Sequence, residues 1–164
     1  MSKEEINIRP AEAADATRIA ELRASIRLSS PRELMGSVIE EIAQMRHDIR
    51  HLAVAEFQGD VVAFARAMSF NRTNRPDERP SGWYLSGVVV RESMRRRGIG
   101  RRLVEARLEW LRGRTNLVRA VAATGNEASV ALLTDAGFRK VGFVDDDTRD
   151  FFLFQRTIAE RPGR

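Results

Sequence analysis

Trp83-Tyr84-Leu85-Ser86-Gly87-Val88-Val89-Val90 and, after a four-residue gap, Arg95-Arg96-Arg97-Gly98-Ile99-Gly100-Arg101-Arg102-Leu103 are the two segments on which the fold turns. The first is rich in β-branched and aromatic residues and reads as a strand. The second passes from a run of arginines through two glycines into a stretch where Ile99, Leu103, Ala106 and Trp110 share one helical face, widened by Val104, Leu108 and Leu111. A helix is expected over 95–111, followed by a strand over 117–123. A strand, a helix and a strand in that order predict a parallel pair joined by a right-handed crossover.

Working outward, Ile6 to Arg9 reads as a short strand, Ala11 to Leu28 as a helix and Pro31 to about Arg50 as a second helix. His51 to Phe57 and Val61 to Phe70 form an antiparallel pair around Gly59-Asp60, a hairpin signal. Asn71 to Gly82, polar and with two prolines, is a loop. Beyond the central unit, Asn126 opens a helix that ends before Gly137, and two strands follow over 139–144 and 151–156. The order β-α-α-β-β-β-α-β-α-β-β predicts an α/β (α+β) fold, a mixed sheet with helices on its faces.

The chain has 164 residues, 43% hydrophobic and 31% charged, with a net charge of +5 and no cysteine. That length supports one core, so a single domain over 1–164 is expected. Lack of cysteine excludes disulfides, thiolate zinc sites and cysteine nucleophiles. The two histidines, His47 and His51, stand four apart without a surrounding HExxH pattern, so no metal is expected. The N-terminus, MSKEEINIRP, lacks an apolar core, and no apolar run approaches the roughly 18 residues of a membrane span. A cytoplasmic protein with no membrane partner is expected. Of 28 basic residues only Lys3 and Lys140 are lysine, and the arginines lie along the whole chain. Such dispersal reads as a solvated surface, and without interleaved aromatics the dense run at Arg95 to Arg102 suits no nucleic-acid partner.

That run instead matches an Arg/Gln-x-x-Gly-x-Gly/Ala pattern between a strand and a helix. Its glycines let phosphate oxygens approach backbone N–H groups, the helix N-terminus adds partial positive charge, and the arginines supply the remaining countercharge. A P-loop would need GxxxxGK followed by Ser or Thr, and a dinucleotide site GxGxxG after the first strand; neither string is present.

Leu85-Ser-Gly-Val88-Val89-Val90, then Arg95-x-x-Gly98-x-Gly100-x-x-Leu103, then Asn126-x-x-Ser129-x-x-Leu132 and Ala136-Gly137-Phe138 together resemble the GNAT superfamily of acyl-CoA-dependent N-acetyltransferases. The likeness runs from about Ile6 to Arg156. It implies a mostly antiparallel sheet in which the strands from Trp83 and Leu117 splay apart, and acetyl-CoA as cosubstrate. It further implies that Arg95, Arg96, Arg97, Gly98, Ile99, Gly100 and Arg101 hold the CoA pyrophosphate, with backbone N–H groups from Arg96 to Arg101. The backbone of Val88, Val89 and Val90 would pair with pantetheine, and Asn126, with Ser129 nearby, would bond the pantetheine arm. Asn126 also reads as a helix N-cap, and both roles can coexist. The backbone N–H of Val88 would meet the thioester carbonyl as an oxyanion device.

The family's side-chain pattern breaks at two places. Where many members carry a tyrosine as general acid this chain has Leu133; a thiol pKa near 8.5 makes thiolate a tolerable leaving group, and Ser129, Thr134 or water could substitute. Where several members carry a glutamate as base it has Tyr84, expected on one strand face with Ser86 and Val88. A phenol of pKa ~10 is a poor base, so Tyr84 is assigned to orienting substrate or water. Asp77, Glu78 and the run Asp145, Asp146, Asp147 are further carboxylates, the run either bordering the acceptor pocket or simply solvated.

Trp83 to Val90 is also similar to the corresponding strand of aminoglycoside 6'-N-acetyltransferases. The reading is therefore transfer of an acetyl group to a primary amine of a small molecule, aminoglycosides among the classes considered, by direct attack in a ternary complex. Two alternatives stand beside it: a CoA-binding regulatory module without turnover, and a protein N-terminal or lysine acetyltransferase. Phe151 to Phe154, apolar on both strand faces, fits either a covered sheet or a homodimer interface.

Overall fold

The computed structural model describes residues 5–71, 79–146 and 149–159. Its regular elements are β1 (Asn7–Pro10), α1 (Ala16–Ala24), α2 (Pro31–Gln44), β2 (Arg50–Phe57), β3 (Asp60–Phe70), β4 (Gly82–Val90), α3 (Ile99–Leu111), β5 (Leu117–Ala123), α4 (Glu127–Asp135), β6 (Arg139–Asp146) and β7 (Arg149–Thr157). This is the predicted order. The strands hydrogen-bond in the sequence β1-β2-β3-β4-β5-β7-β6, a seven-stranded mixed sheet that is mostly antiparallel. Its parallel pair is β4 with β5, as the crossover reading requires.

The chain gathers into two compact units, one of residues 1–66 and 87–107 and the other of 67–86 and 108–164. In the first, β1 lies antiparallel to β2, from Asn7↔Glu56 to Pro10↔Ala53. The β2–β3 turn uses left-handed backbone at Gln58 (φ 52°) and Gly59 (φ 78°), one residue earlier than the expected Gly59-Asp60. Side chains fill both strand faces. Leu52, Val54, Phe64 and Val89 pack with Ile19, Ala20, Leu34 and Val38 of α1 and α2. Ala53, Ala55, Val62 and Ala65 pack with Met94 and with Ile99 and Leu103 of α3. Small residues here let the helix approach closely, and covering on two faces explains why β2 and β3 read as continuous apolar runs rather than alternating ones.

In the second unit β4 meets β5 at Trp83↔Val118, Tyr84↔Arg119 and Leu85↔Ala120. β5 pairs antiparallel with β7 along its whole length, and β6 with β7, with an irregularity between Lys140 and Gly142. The helix α4 ends as the sequence predicts: Gly137 takes φ 85°, and the N–H of Phe138 reaches back to the Leu133 carbonyl at 3.0 Å.

Three helix boundaries differ from expectation. Arg95 to Gly98 are not helical, because Arg96 (φ 63°) and Gly98 (φ 76°) occupy the left-handed region. The first predicted helix is a 3-10 turn at Ala13–Asp15 followed by α1, which stops at Ala24; the Ser25 hydroxyl donates to the Leu22 carbonyl. The second ends at Gln44, a 3-10 turn follows over Met45–His47, and Asp48 at φ 55° redirects the chain into β2. That places His47, exposed, after a helix and His51, buried, in a strand, so the two do not share a helical face.

Candidate active site

Val90 is followed by a short 3-10 turn at Glu92–Met94, whose Met94 is buried. Arg95, Arg96 and Arg97 then carry the chain over exposed positions to Gly98. The Gly98 carbonyl accepts from the Arg102 N–H at 3.1 Å, so Gly98 stands at the start of α3. Helical geometry leaves the N–H groups of Ile99, Gly100 and Arg101 without an intrahelical acceptor. Left-handed backbone at Arg96 and Gly98 curls this segment into a concave run of amides, an anion-binding form. A Cβ built on Gly98 meets nothing within 4 Å, so the glycine is required by its φ rather than by crowding.

The side chains around that run divide. Arg101 forms an exposed 3.5 Å pair with Glu105, and Arg97 lies over the Phe57 ring at 5.9 Å. Arg95 donates through Nε to the Val90 carbonyl. Arg102 donates to the Ile6 carbonyl at 2.7 Å, which makes it a strut rather than a ligand donor. Arg95 also lines a cavity of about 330 Å³ with Arg18, Glu21, Leu22, Ser25, Arg91 and Glu92.

One residue before Val88, Gly87 takes φ 60°, which is not strand conformation. Strict alternation therefore stops at Gly87, and the expectation that Tyr84, Ser86 and Val88 share one face does not carry across it. A break of this kind bends the strand and ends regular pairing locally. Val88 and Val90 pack on the α3 side of the sheet and Val89 on the α1 and α2 side.

In the second unit, Tyr84 is only 2% exposed. Its hydroxyl donates to the Pro80 carbonyl at 2.7 Å and its ring meets Phe70 edge-on. Burial, partly offset by the charges of Arg119 and Arg79, pushes the phenol above its ordinary value. Ser86 is half-buried in the same strand. Asn126 caps α4: its Oδ1 accepts from the Ser129 N–H at 3.1 Å. Asn126 also lines an open depression of about 480 Å³ with Ala123, Thr124, Gly125 and Asp150. Thr134 donates to the Val130 carbonyl of its own helix, and Leu133 is buried. Asp145 sits opposite Asp150 near the end of the β6–β7 hairpin. Asp77, Glu78 and Asp147 lie outside the described residues.

The sequence reading missed a buried charge cluster. Glu41 on α2 accepts from Nη1 of Arg23 on α1 and Nη1 of Arg66 on β3, both at 3.2 Å, and lies 3.6 Å from Nη1 of Arg50 on β2. Its side chain is 11% exposed, those of Arg23, Arg66 and Arg50 8%, 16% and 21%. Arg66 reaches the strand break: a Cβ on Gly87 would stand 2.8 Å from both its Nε and its Nη2. Arg107 is also buried, donating from Nη1 to the Arg66 carbonyl at 2.8 Å and from Nε to Leu103. Burial pushes its pKa down to about 9, still charged at neutral pH. Dispersal along the chain thus did not mean a solvated surface at Arg23, Arg50, Arg66 and Arg107, whereas Arg18, Arg27, Arg32 and Arg46 are exposed as expected. The four partners at 23, 41, 50 and 66 carry no local signal, since only the fold brings them together.

Among the described residues no cluster of three or more metal-ligating side chains occurs, and no helix is long and apolar enough to cross a membrane.

The model of the Acetyltransferase (GNAT) family matches residues 17–138. The N-alpha-acetyltransferase RimI of Mycobacterium tuberculosis is 30% identical over 129 residues, 79% of this chain and 75% of that protein. Among solved structures, the putative acetyltransferase yncA of Salmonella typhimurium with its cofactor acetyl-CoA superposes with a TM-score of 0.74 at 19% identity, covering 96% of each chain. The ribosomal-protein-alanine N-acetyltransferase of Brucella melitensis does so with 0.73 at 24% identity, over 93% of this chain and 99% of that one.

Proposed function

Because the chain belongs to the GNAT family and is an acetyl-CoA-dependent N-acetyltransferase, we propose that its acceptor is the α-amine of a polypeptide N-terminus. The observation that carries this reading is the 30% identity, over most of both chains, to a relative named as an N-alpha-acetyltransferase. The chemistry of the site supports it. Tyr84 has its proton committed to Pro80 and its pKa raised by burial, so it is no base at neutral pH. With Tyr84 unfit as a base, the acceptor that needs least help is one that arrives with a sizeable neutral fraction. An α-amine, of pKa about 7.7 to 8.0, does so; a lysine, near 10.4, does not. The guanidinium of Arg66 beside Gly87 further disfavours a cationic amine there, and with it a polycation such as an aminoglycoside.

The residues present fit acetyl-CoA. The amides from Arg96 to Arg101, with the exposed Arg95, Arg97 and Arg101 side chains, would take the pyrophosphate, and the backbone of Val88, Val89 and Val90 the pantetheine. In the second unit, taken by itself, Asn126 keeps its amide Nδ2 as a donor after capping α4, and Ser129 is next to it on the first turn. When bound, acetyl-CoA supplies an acyl group activated by its thioester. In the attack the new C–N bond would form as the C–S bond breaks, and the Val88 N–H, next to the φ 60° break at Gly87, would donate to the carbonyl oxygen. The amine proton leaves to water and ends on the thiolate, which needs no side-chain acid at Leu133 because a thiol of pKa about 8.5 is already a fair leaving group. Tyr84 is a positioning residue, tying β4 to the segment at Pro80.

The test is thiol release from acetyl-CoA with three acceptors: a peptide with a free α-amine, the same peptide N-terminally blocked but bearing lysine, and an aminoglycoside. The expected result is release with the first alone and one acetyl group on its N-terminus by mass. Faster release with the aminoglycoside overturns the polypeptide reading in favour of a small-molecule amine.

A further inference from the structure

Glu41 offers one negative charge to Arg23, Arg50 and Arg66, all largely removed from water. A buried cation without a counter-ion is costly, so three guanidiniums around a single carboxylate are an arrangement that a second carboxylate would stabilise. Arg27, exposed near the end of α1, adds a further positive charge close to Arg23. Burial first, and then the like charges of Arg66 and Arg27, press Arg23 below the ordinary guanidinium value against the pull of Glu41.

The donors are directed. Glu41 takes only Nη1 from each of its three partners. The Nε groups of Arg50 and Arg66 are buried and have no hydrogen-bond partner among the described residues. In Arg66 the remaining edge is the Nε and Nη2 pair, the side-on fork that matches a carboxylate in two parallel bonds. That edge faces Gly87, which is exposed and precedes the Val88 amide by one residue. Only glycine leaves room, since a side-chain carbon there would press on the guanidinium.

We propose that Arg66 and Arg50, steadied by Glu41 and Arg23, bind a carboxylate carried by the acceptor, so that the enzyme prefers N-termini with aspartate or glutamate at the first or second residue. This rests on the reading of the acceptor as a polypeptide α-amine. An amine attacking at Val88 places its own first side chains within a few ångströms of Gly87, where the free fork of Arg66 stands.

The experiment compares kcat/KM on short peptide amides that differ only in charge, Ala-Asp, Ala-Asn and Ala-Lys at their N-termini, together with the pair Asp-Ala and Asn-Ala. Free glutamate and glutamine are run beside them. The acidic peptides are expected to exceed their neutral partners by about tenfold, the scale of one charge-assisted contact, with the lysine peptide lowest. Arg66→Gln and Arg50→Gln should each bring the acid-to-amide ratio towards one, Arg66→Lys should keep part of it, and Arg112→Gln, which removes a pair with Glu109 outside the site, should leave it as in the wild type. Because the wild-type ratio alone is diagnostic, a variant that fails to fold does not blunt the test. Equal rates on acidic and neutral peptides, or a ratio unmoved in a folded Arg66→Gln, overturn the proposal. Acetylation of no peptide overturns the polypeptide reading instead; the carboxylate site is then judged on glutamate against glutamine, equal rates there overturning it too.

Discussion

Two groups of arginines in the same unit do opposite kinds of work. Arg95, Arg96, Arg97 and Arg101 are exposed, and on the proposed reading an anion there would be held mainly by backbone, curled by left-handed Arg96 and Gly98 at the mouth of a helix. Arg23, Arg50 and Arg66 are buried, and there the side chains themselves are built into place around Glu41. The contrast shows that charge count and function are poorly coupled. An exposed guanidinium is cheap to lose because water and salt already screen it, whereas a buried one is fixed by partners whose removal leaves charge stranded.

Glu41→Gln is the harshest test of the buried group. With Glu41 neutralised, three guanidiniums face each other without a carboxylate partner among the described residues, and unfolding stability should fall by about 3 kcal/mol, the cost of breaking a buried pair. Urea denaturation followed by circular dichroism reads this directly. A loss under about 1 kcal/mol, the value of a surface pair, would mean that the cluster is wetter than its burial indicates, and the contrast would collapse.

Gly98→Val tests the backbone side. Because no atom crowds the new Cβ, any effect comes from forcing a β-branched residue to φ 76°. That strain is about 2 kcal/mol, so acetyl-CoA affinity measured by titration calorimetry should weaken about thirtyfold as the loop relaxes to another form. Gly98→Asn, which tolerates the left-handed region, should lose much less. Equal loss in both would point to the glycine's size rather than its conformation.

The same contrast explains what could be read in advance. The proposed backbone site was legible because everything it needs is contiguous: a Val-rich strand, an arginine run, two glycines and an amphipathic helix, all between Gly82 and Leu111. Even so, periodicity drew the helix back to Arg95, since it sees apolar spacing and not φ. Alternation placed Tyr84, Ser86 and Val88 on one face for the same reason; Gly87 at φ 60° interrupts it, and a glycine inside a strand was the sign available. The buried cluster had no such contiguity. Arg23, Glu41, Arg50 and Arg66 come from two helices and two strands, each looks like an ordinary surface residue in its own window, and only tertiary packing makes them neighbours.

Tyr84 probes the second unit, where a polar side chain is buried without charge. Tyr84→Phe should cost about 1 kcal/mol by leaving the Pro80 carbonyl without its donor, with acetyl-CoA affinity unchanged and turnover reduced a few-fold. Its pH behaviour is more telling. Burial raises the phenol pKa, so Tyr84 stays protonated through neutral and mildly alkaline pH, and on the proposed reading kcat/KM should rise with pH through the acceptor α-amine near 8. The variant should therefore keep the wild-type midpoint. A midpoint displaced by a full unit would return Tyr84 to the proton-transfer path.

The smallest effect is expected at the most conspicuous residues. Arg101 is exposed and its pairing with Glu105 is a 3.5 Å surface contact, so neither ordering nor desolvation fixes its guanidinium on a bound phosphate. Arg101→Ala should weaken acetyl-CoA binding by about threefold at low salt and less at physiological ionic strength, as a solvent-screened charge does. The variant would keep the amides at the start of α3, which do not depend on the residue's side chain. Loss of more than about thirtyfold, the scale of Gly98→Val, would show that the side chains rather than the curled backbone carry the anion. The exposed arginines would then belong with Arg66 and Arg50 as built recognition groups, and the division between the two regions would be one of burial alone.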